Sequence, residues 1–198
     1  VYRRLSPSQA RIAQGHRGEL KQALLEQGFP VKDLGKYEVF EALRIDFKPD
    51  FKPYPDQEEA LNEFLKYGAG TIIMPAGTGK TVIAVMIATK LKAPTLVVTP
   101  KAEICEQFKR EFLTKTTIDQ WKMSVIHGGT TNKEIRPITI TTYDSATSSI
   151  YRKLWQQKWG LIVFDEAQHV PSKIWSKTAQ LQATRRLGLT ATPVREDS

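Results

Sequence analysis

From residue 56 onward the chain alternates short apolar runs with longer stretches of helical period. The runs are Thr71–Met74, Thr95–Thr99, Met123–His127, Ile138–Thr142, Leu161–Phe164 and Arg186–Leu189. Several are close to continuously apolar, and Leu161-Ile162-Val163-Phe164 holds no polar residue at all, the pattern of parallel strands covered on both faces. Lys80–Lys90, Ala102–Phe112 and Asp144–Trp155 read as helices between them. A further helix opens at Asp56, where Asp56 and Glu59 have capping-box spacing and Ala60, Leu61, Phe64 and Leu65 supply an apolar side. Alternating strands and helices predict an α/β fold, a parallel sheet sandwiched by helices. Ligands of such sheets bind at the carboxyl ends of the strands.

The first 53 residues read differently. One helix is predicted, Gly18 to Gln27, with Leu20, Ala23 and Leu24 on one side, and Gly28-Phe29-Pro30 stops it. Residues 47–55 hold three prolines and three aromatics and read as an extended connector. The expected organisation is therefore an N-terminal extension over 1–53, without an assigned role, and a main domain over 54–198. No repeat and no low-complexity tract interrupts either part.

Composition narrows the classes. The 198 residues carry 29 Lys+Arg against 21 Asp+Glu, a net charge of +8, which favours a polyanionic partner such as nucleic acid. The charge is spread, net +3 over residues 1–53 and +5 over the remainder, so there is no basic tail. The stretch Arg11–Gln27 is either a phosphate-contacting face or a solvated one. No run approaches the about 18 apolar residues of a membrane-spanning helix. The single cysteine, Cys105, can form no internal disulfide and no zinc site, which favours a reducing compartment, cytoplasmic or close to DNA. Val1 in place of an initiator Met points to a processed or excised piece of a longer chain.

Two stretches carry chemistry. The run ending at Met74 enters Pro75-Ala76-Gly77-Thr78-Gly79-Lys80-Thr81 and then a helix. Strand, glycine loop, Lys-Thr and helix form the setting of a nucleotide phosphate loop. Glycines let backbone N–H groups turn inward around phosphate oxygens, and the helix start adds positive potential. Lys80 would reach the β and γ phosphates and the Thr81 hydroxyl would ligate Mg²⁺. The strict pattern has glycine six residues before the lysine; Met74 stands there. The second stretch, Asp165-Glu166, follows the apolar run at 161–164. Adjacent acids at a strand end point to different sides. Asp165 could hold Mg²⁺ and Glu166 could orient and deprotonate water. With three histidines, His16, His127 and His169, no metal-binding His cluster competes.

Gly77-Thr78-Gly79-Lys80-Thr81, Asp165-Glu166-Ala167-Gln168-His169 and Leu189-Thr190-Ala191-Thr192-Pro193 resemble motifs I, II and III of superfamily 2 helicases and translocases. The run from Leu187 to Asp197, ending Arg195-Glu196-Asp197, is similar to the XPB-like branch in particular. The resemblance covers about residues 54–198 and implies the first RecA-like lobe of an ATP-dependent DNA motor. It implies an ATP site at Ala76, Gly77, Thr78, Gly79, Lys80 and Thr81, Mg²⁺ on Thr81 and Asp165, and Glu166 as catalytic base. Gln57 falls where the family reads adenine; Tyr54 either stacks on the base or packs within the connector. Gln168, His169, Thr190 and Thr192 would link the nucleotide to the nucleic-acid groove. Pro100 and Lys101 match the motif that touches the nucleic-acid backbone. Thr142 and Tyr143 lie in a segment similar to one in the branch, and with Arg195 they are expected to contact DNA.

The family draws an arginine finger from a second RecA-like lobe, which is expected to lie outside these 198 residues, so this piece alone is expected to bind nucleotide weakly and turn over little. A restriction-enzyme motor lobe shares these motifs. An RNA helicase fits the Thr-Ala-Thr spelling and the Arg-Glu-Asp triplet less well. A non-catalytic nucleotide-regulated module would not need Lys80, Asp165 and Glu166 together.

Overall fold

Strands too apolar to leave either face in water gather into one sheet between two helical layers. The computed structural model of the chain describes residues 2–6, 9–12, 16–29, 40–131, 134–148, 153–169 and 175–192. After an antiparallel hairpin of β1 (Tyr2–Ser6) and β2 (Gln9–Ile12) come the six sheet strands. These are β3 (Ala69–Ile73), β4 (Thr95–Thr99), β5 (Met123–Ile126), β6 (Ile138–Thr142), β7 (Trp159–Asp165) and β8 (Ala183–Thr190). They pair in the order β3-β8-β7-β4-β6-β5, every neighbour parallel. All six expected runs are strands, and the parallel α/β class is the one predicted.

The period of two along each strand divides the core. Val97, Ile140, Leu161, Val163, Leu187 and Leu189 face one layer; Leu96, Val98, Ile162 and Phe164 face the other. The first layer is α2 (Pro55–Tyr67), α3 (Lys80–Leu91) and α4 (Ala102–Lys115), which contribute Leu61 and Phe64, Ile83 through Ala88, and Cys105, Phe108 and Phe112. The second holds α5 (Tyr143–Thr147) and α6 (Lys153–Gln156), with Tyr143, Ala146 and Leu154.

Three local expectations change. The helix expected over Asp144–Trp155 is α5 and α6. Thr142 Oγ1 caps α5 by accepting the Ser145 N–H, and Ser148 already has extended backbone, as hydroxyl side chains that bond the local backbone compete with helix continuation. α2 begins at Pro55 rather than Asp56. Proline suits the first helical position, and the Tyr54 N–H donates to Gln57 Oε1 at 3.1 Å, so the return contact comes from Gln57 and not from Glu59. In the N-terminal part, the predicted helix is α1 (Arg17–Glu26), but the hairpin before it had no signal in the hydrophobic pattern.

The connector is extended, as its prolines require, and lies against the end of α4. Phe47 bridges Thr116, Lys48 N–H donates to Lys115 O at 2.9 Å, and Asp46 and Thr117 exchange two further bonds. Ile45 is fully buried and Phe40, Leu43, Phe47 and Phe51 pack on the first layer. Residues 40–53 are thus packed on the sheet domain. α1 rests on the 3-10 helix Trp175–Gln180, so closely that a Cβ on Gly18 would lie 2.2 Å from the Gln180 carbonyl oxygen.

Candidate functional site

β3 ends at Ile73, and residues 74–79 turn into α3. Gly77 and Gly79 have φ of 81° and 89°, the left-handed region closed to most side chains. A Cβ on Gly79 would stand 2.4 Å from Gln57 Nε2, so glycine here also lets Gln57 reach the loop. Ala76, Gly77 and Thr78 are exposed and Thr81 is half-buried in the first turn of α3. Thr78 Oγ1 braces the turn by donating to Pro75 O at 2.7 Å. The Lys80 ammonium donates to Met74 O at 2.8 Å and Pro75 O at 3.3 Å. The N–H groups of the α3 start and the lysine put positive potential at this turn, the kind of surface that suits an anion.

β7 delivers the acid pair to the same rim. Only β8 separates it from β3, a lateral offset of about 10 Å, or two strand spacings. Asp165 is 7% exposed. Burial pushes its carboxyl up to about 6, the Glu166 charge pushes the same way, and the Glu166 backbone N–H and Lys80 pull against both. Glu166 is half-buried and has φ of 51°, an uncommon conformation for a residue with a side chain.

A chain of hydrogen bonds leaves Glu166. Gln168 Nε2 donates to Glu166 Oε2 at 2.7 Å, Thr190 Oγ1 donates to Gln168 Oε1, and Thr192 N–H donates to Thr190 Oγ1 at 3.1 Å. Gln168, Thr190 and Thr192, expected as a linking set, are therefore in one network. His169 closes the 3-10 helix Ala167–His169, and its side chain lies outside the described residues.

A cleft of about 290 Å³ adjoins the loop on the α2 side. Tyr54 and Gln57, both predicted, line it; Phe51, Val82, Thr114 and Lys115 were not foreseen. Phe51 and Val82 had a signal, lying beside the aromatic connector and the loop, whereas Thr114 and Lys115 arrive only through the contact of Phe47 with Thr116. Tyr54 is 72% exposed; Gln57 is buried, with Nε2 3.5 Å from Thr78 O.

The expected DNA contacts divide. Lys101 is exposed at the N-terminal cap of α4, just past β4, and Pro100 beside it is half-buried. Thr142 is 9% exposed and occupied in capping α5. Tyr143 cannot touch DNA: its side chain is fully buried and its hydroxyl donates to Asp165 O at 2.8 Å. The start of α5 turns the ring under the sheet, a direction that its polar neighbours in sequence conceal. Arg195 lies outside the described residues.

Asp165 and Thr81 offer hard oxygen donors suited to Mg²⁺ together with phosphate oxygens. Among the described residues no group of three or more His, Cys, Asp or Glu could hold a metal, and no helix is long and apolar enough to cross a membrane.

The raised Asp165 carboxyl makes a stability prediction. Folded protein holds this proton between about pH 4 and 6 while the unfolded chain releases it, so stability falls as pH rises through that window. Two units correspond to roughly 2–3 kcal/mol. Asp165→Asn should therefore raise thermal stability at pH 7 and lose the advantage below about pH 4. Melting curves of both proteins from pH 4 to 8 check it, and parallel profiles would reject it.

A protein-family model described as the res subunit of type III restriction enzymes matches residues 50–195. Over 203 aligned residues the chain is 38% identical to the DNA 3'-5' helicase XPB of Kineococcus radiotolerans, covering 98% of this chain and 36% of that protein. It is 34% identical to the DNA 3'-5' translocase XPB2 of Sulfurisphaera tokodaii, covering 85% of this chain and 40% of that protein. The chain thus spans about a third of the length of the curated relatives it matches. Among solved structures, the Sulfolobus solfataricus SWI2/SNF2 ATPase core in complex with dsDNA superposes with a TM-score of 0.64 at 20% identity, over 81% of this chain and 36% of that one, a likeness of fold.

Proposed function

Since the chain belongs to the family of type III restriction enzyme res subunits, we propose that it is the ATP-binding first RecA-like lobe of an XPB-like DNA helicase or translocase. The observation that carries this reading is the shared rim: the 75–81 loop follows β3 and the Asp165-Glu166 pair follows β7, with the single strand β8 between them. That spacing suits a triphosphate spanning from loop to acids.

The residues then have distinct tasks. The loop amides and the α3 start hold the phosphates, and Lys80 exchanges the Met74 and Pro75 carbonyls for β and γ oxygens. Thr81 and Asp165 would hold Mg²⁺, which when bound supplies charge neutralisation to the transferring phosphoryl group. Glu166 orients the attacking water and takes its proton. Gln168 senses the Glu166 carboxylate and passes its state through Thr190 to Thr192. The Tyr54–Gln57 cleft would take the adenine base. A second RecA-like lobe of the full-length protein completes the charge around the γ phosphate and closes on ATP, and the cycle of closing and opening moves the protein along DNA. The place of action is a reducing, DNA-containing compartment.

Lys101 puts a cation on the DNA side of the rim. In the full-length protein, DNA should stimulate ATP hydrolysis. Lys101→Ala should weaken binding across DNA sequences and flatten the salt dependence by about one unit of slope. Hydrolysis indifferent to DNA would refute the DNA-motor reading.

The family description favours a second reading, the motor lobe of a restriction enzyme. Plasmid cleavage by the full-length protein would select it.

A further inference from the structure

The mechanism above leaves one buried polar contact unused. Tyr143 opens α5, has no exposed surface, and sits in the cluster that contains Val98, Leu154 and Phe164. Its hydroxyl donates to the carbonyl oxygen of Asp165 at 2.8 Å. That carbonyl belongs to the peptide that joins Asp165 to Glu166. Pairing of β7 with β4 ends one residue earlier, at Phe164 opposite Val98, so the peptide lies just beyond the ladder on that side.

Both ends of this peptide are held. In a trans unit the N–H points opposite to the C=O. Here the Glu166 N–H stabilises the ionised Asp165 carboxylate, while the C=O is gripped by Tyr143. The Glu166 φ of 51° is a rotation about the bond that starts at the same nitrogen. Freeing the plane would turn the N–H from the Asp165 carboxylate and let Glu166 relax toward ordinary backbone.

We propose that Tyr143 is a positioning residue for hydrolysis, fixing the 165–166 peptide so that Asp165 and Glu166 are aimed together. The proposal rests on the motor-lobe reading. It also gives the segment after β6 a task other than touching DNA.

The test is Tyr143→Phe in the full-length protein, which keeps the ring and removes the donor. Leu154→Ala, from the same cluster, controls for packing. ATP turnover, equilibrium ATP binding and melting temperature are measured for each. Tyr143→Phe should lower kcat about tenfold to a hundredfold, the scale of a misplaced catalytic group, with ATP affinity unchanged. Leu154→Ala should lower the melting temperature and leave kcat close to wild type. Wild-type kcat in Tyr143→Phe overturns the proposal, as do kcat losses that track melting temperature in both variants. Absence of turnover in the wild-type protein sinks the motor-lobe reading itself, and this inference with it.

Discussion

Glu166→Gln is expected to reduce ATP turnover by about 10²–10⁴-fold, the usual contribution of a positioned general base, while ATP binding persists. Glutamine matches glutamate in shape but cannot accept the water proton. Its amide can still bond Gln168, so the path to Thr190 is kept and the loss is confined to chemistry. One negative charge also leaves the neighbourhood of a triphosphate, so ATP affinity should hold or rise. Steady-state kcat together with equilibrium ATP binding checks this. Turnover within a few-fold of wild type would remove Glu166 from the role of base.

Lys80→Ala is expected to fail differently, losing both ATP affinity and turnover, the latter by about 10²–10³-fold, as when a charge-stabilising donor is removed. Two effects add. The ammonium that would meet the β and γ oxygens is gone. Its pull on Asp165 goes as well, and that carboxyl, already pushed up to about 6, moves higher and spends less time ionised near neutral pH. The pair of variants therefore separates roles: Glu166→Gln lowers kcat alone, whereas Lys80→Ala raises the ATP dissociation constant too. Normal ATP binding by Lys80→Ala would mean that the loop grips phosphate through backbone amides only.

How much of this was legible depended on what each segment has to bury. Strands such as Leu161–Phe164 are covered on both sides, and a run without polar residues announces that directly. The turn at 75–81 was legible because glycine is the residue that most readily takes the positive-φ backbone found at Gly77 and Gly79. The strand order was not, since pairing among six comparably apolar strands is decided in three dimensions. β1 and β2 escaped notice because they are only five and four residues long and carry Arg3, Arg4, Gln9 and Arg11, too short and too polar for a hydrophobic pattern to stand out. Tyr143 was misplaced for a related reason. Between Thr142 and Asp144 an aromatic with a hydroxyl reads as surface, and only the turn of α5 beneath the sheet reveals a phenol whose partner is Asp165. The connector showed its extended form through its prolines but not its resting place along α4, which lies in the complementarity of Ile45, Phe47 and Phe51 with that helix.

If the proposed nucleotide site is right, the way Gln57 is held bears on selectivity among nucleotides. Its amide oxygen already serves the Tyr54 N–H, and its nitrogen leans over the gap left by Gly79 toward Thr78. Any purine that engages this amide shares it with the turn that cups the triphosphate. Preference for adenine over guanine and preference for three phosphates over two would then be a single, inseparable trait, each altering whenever the other is engineered.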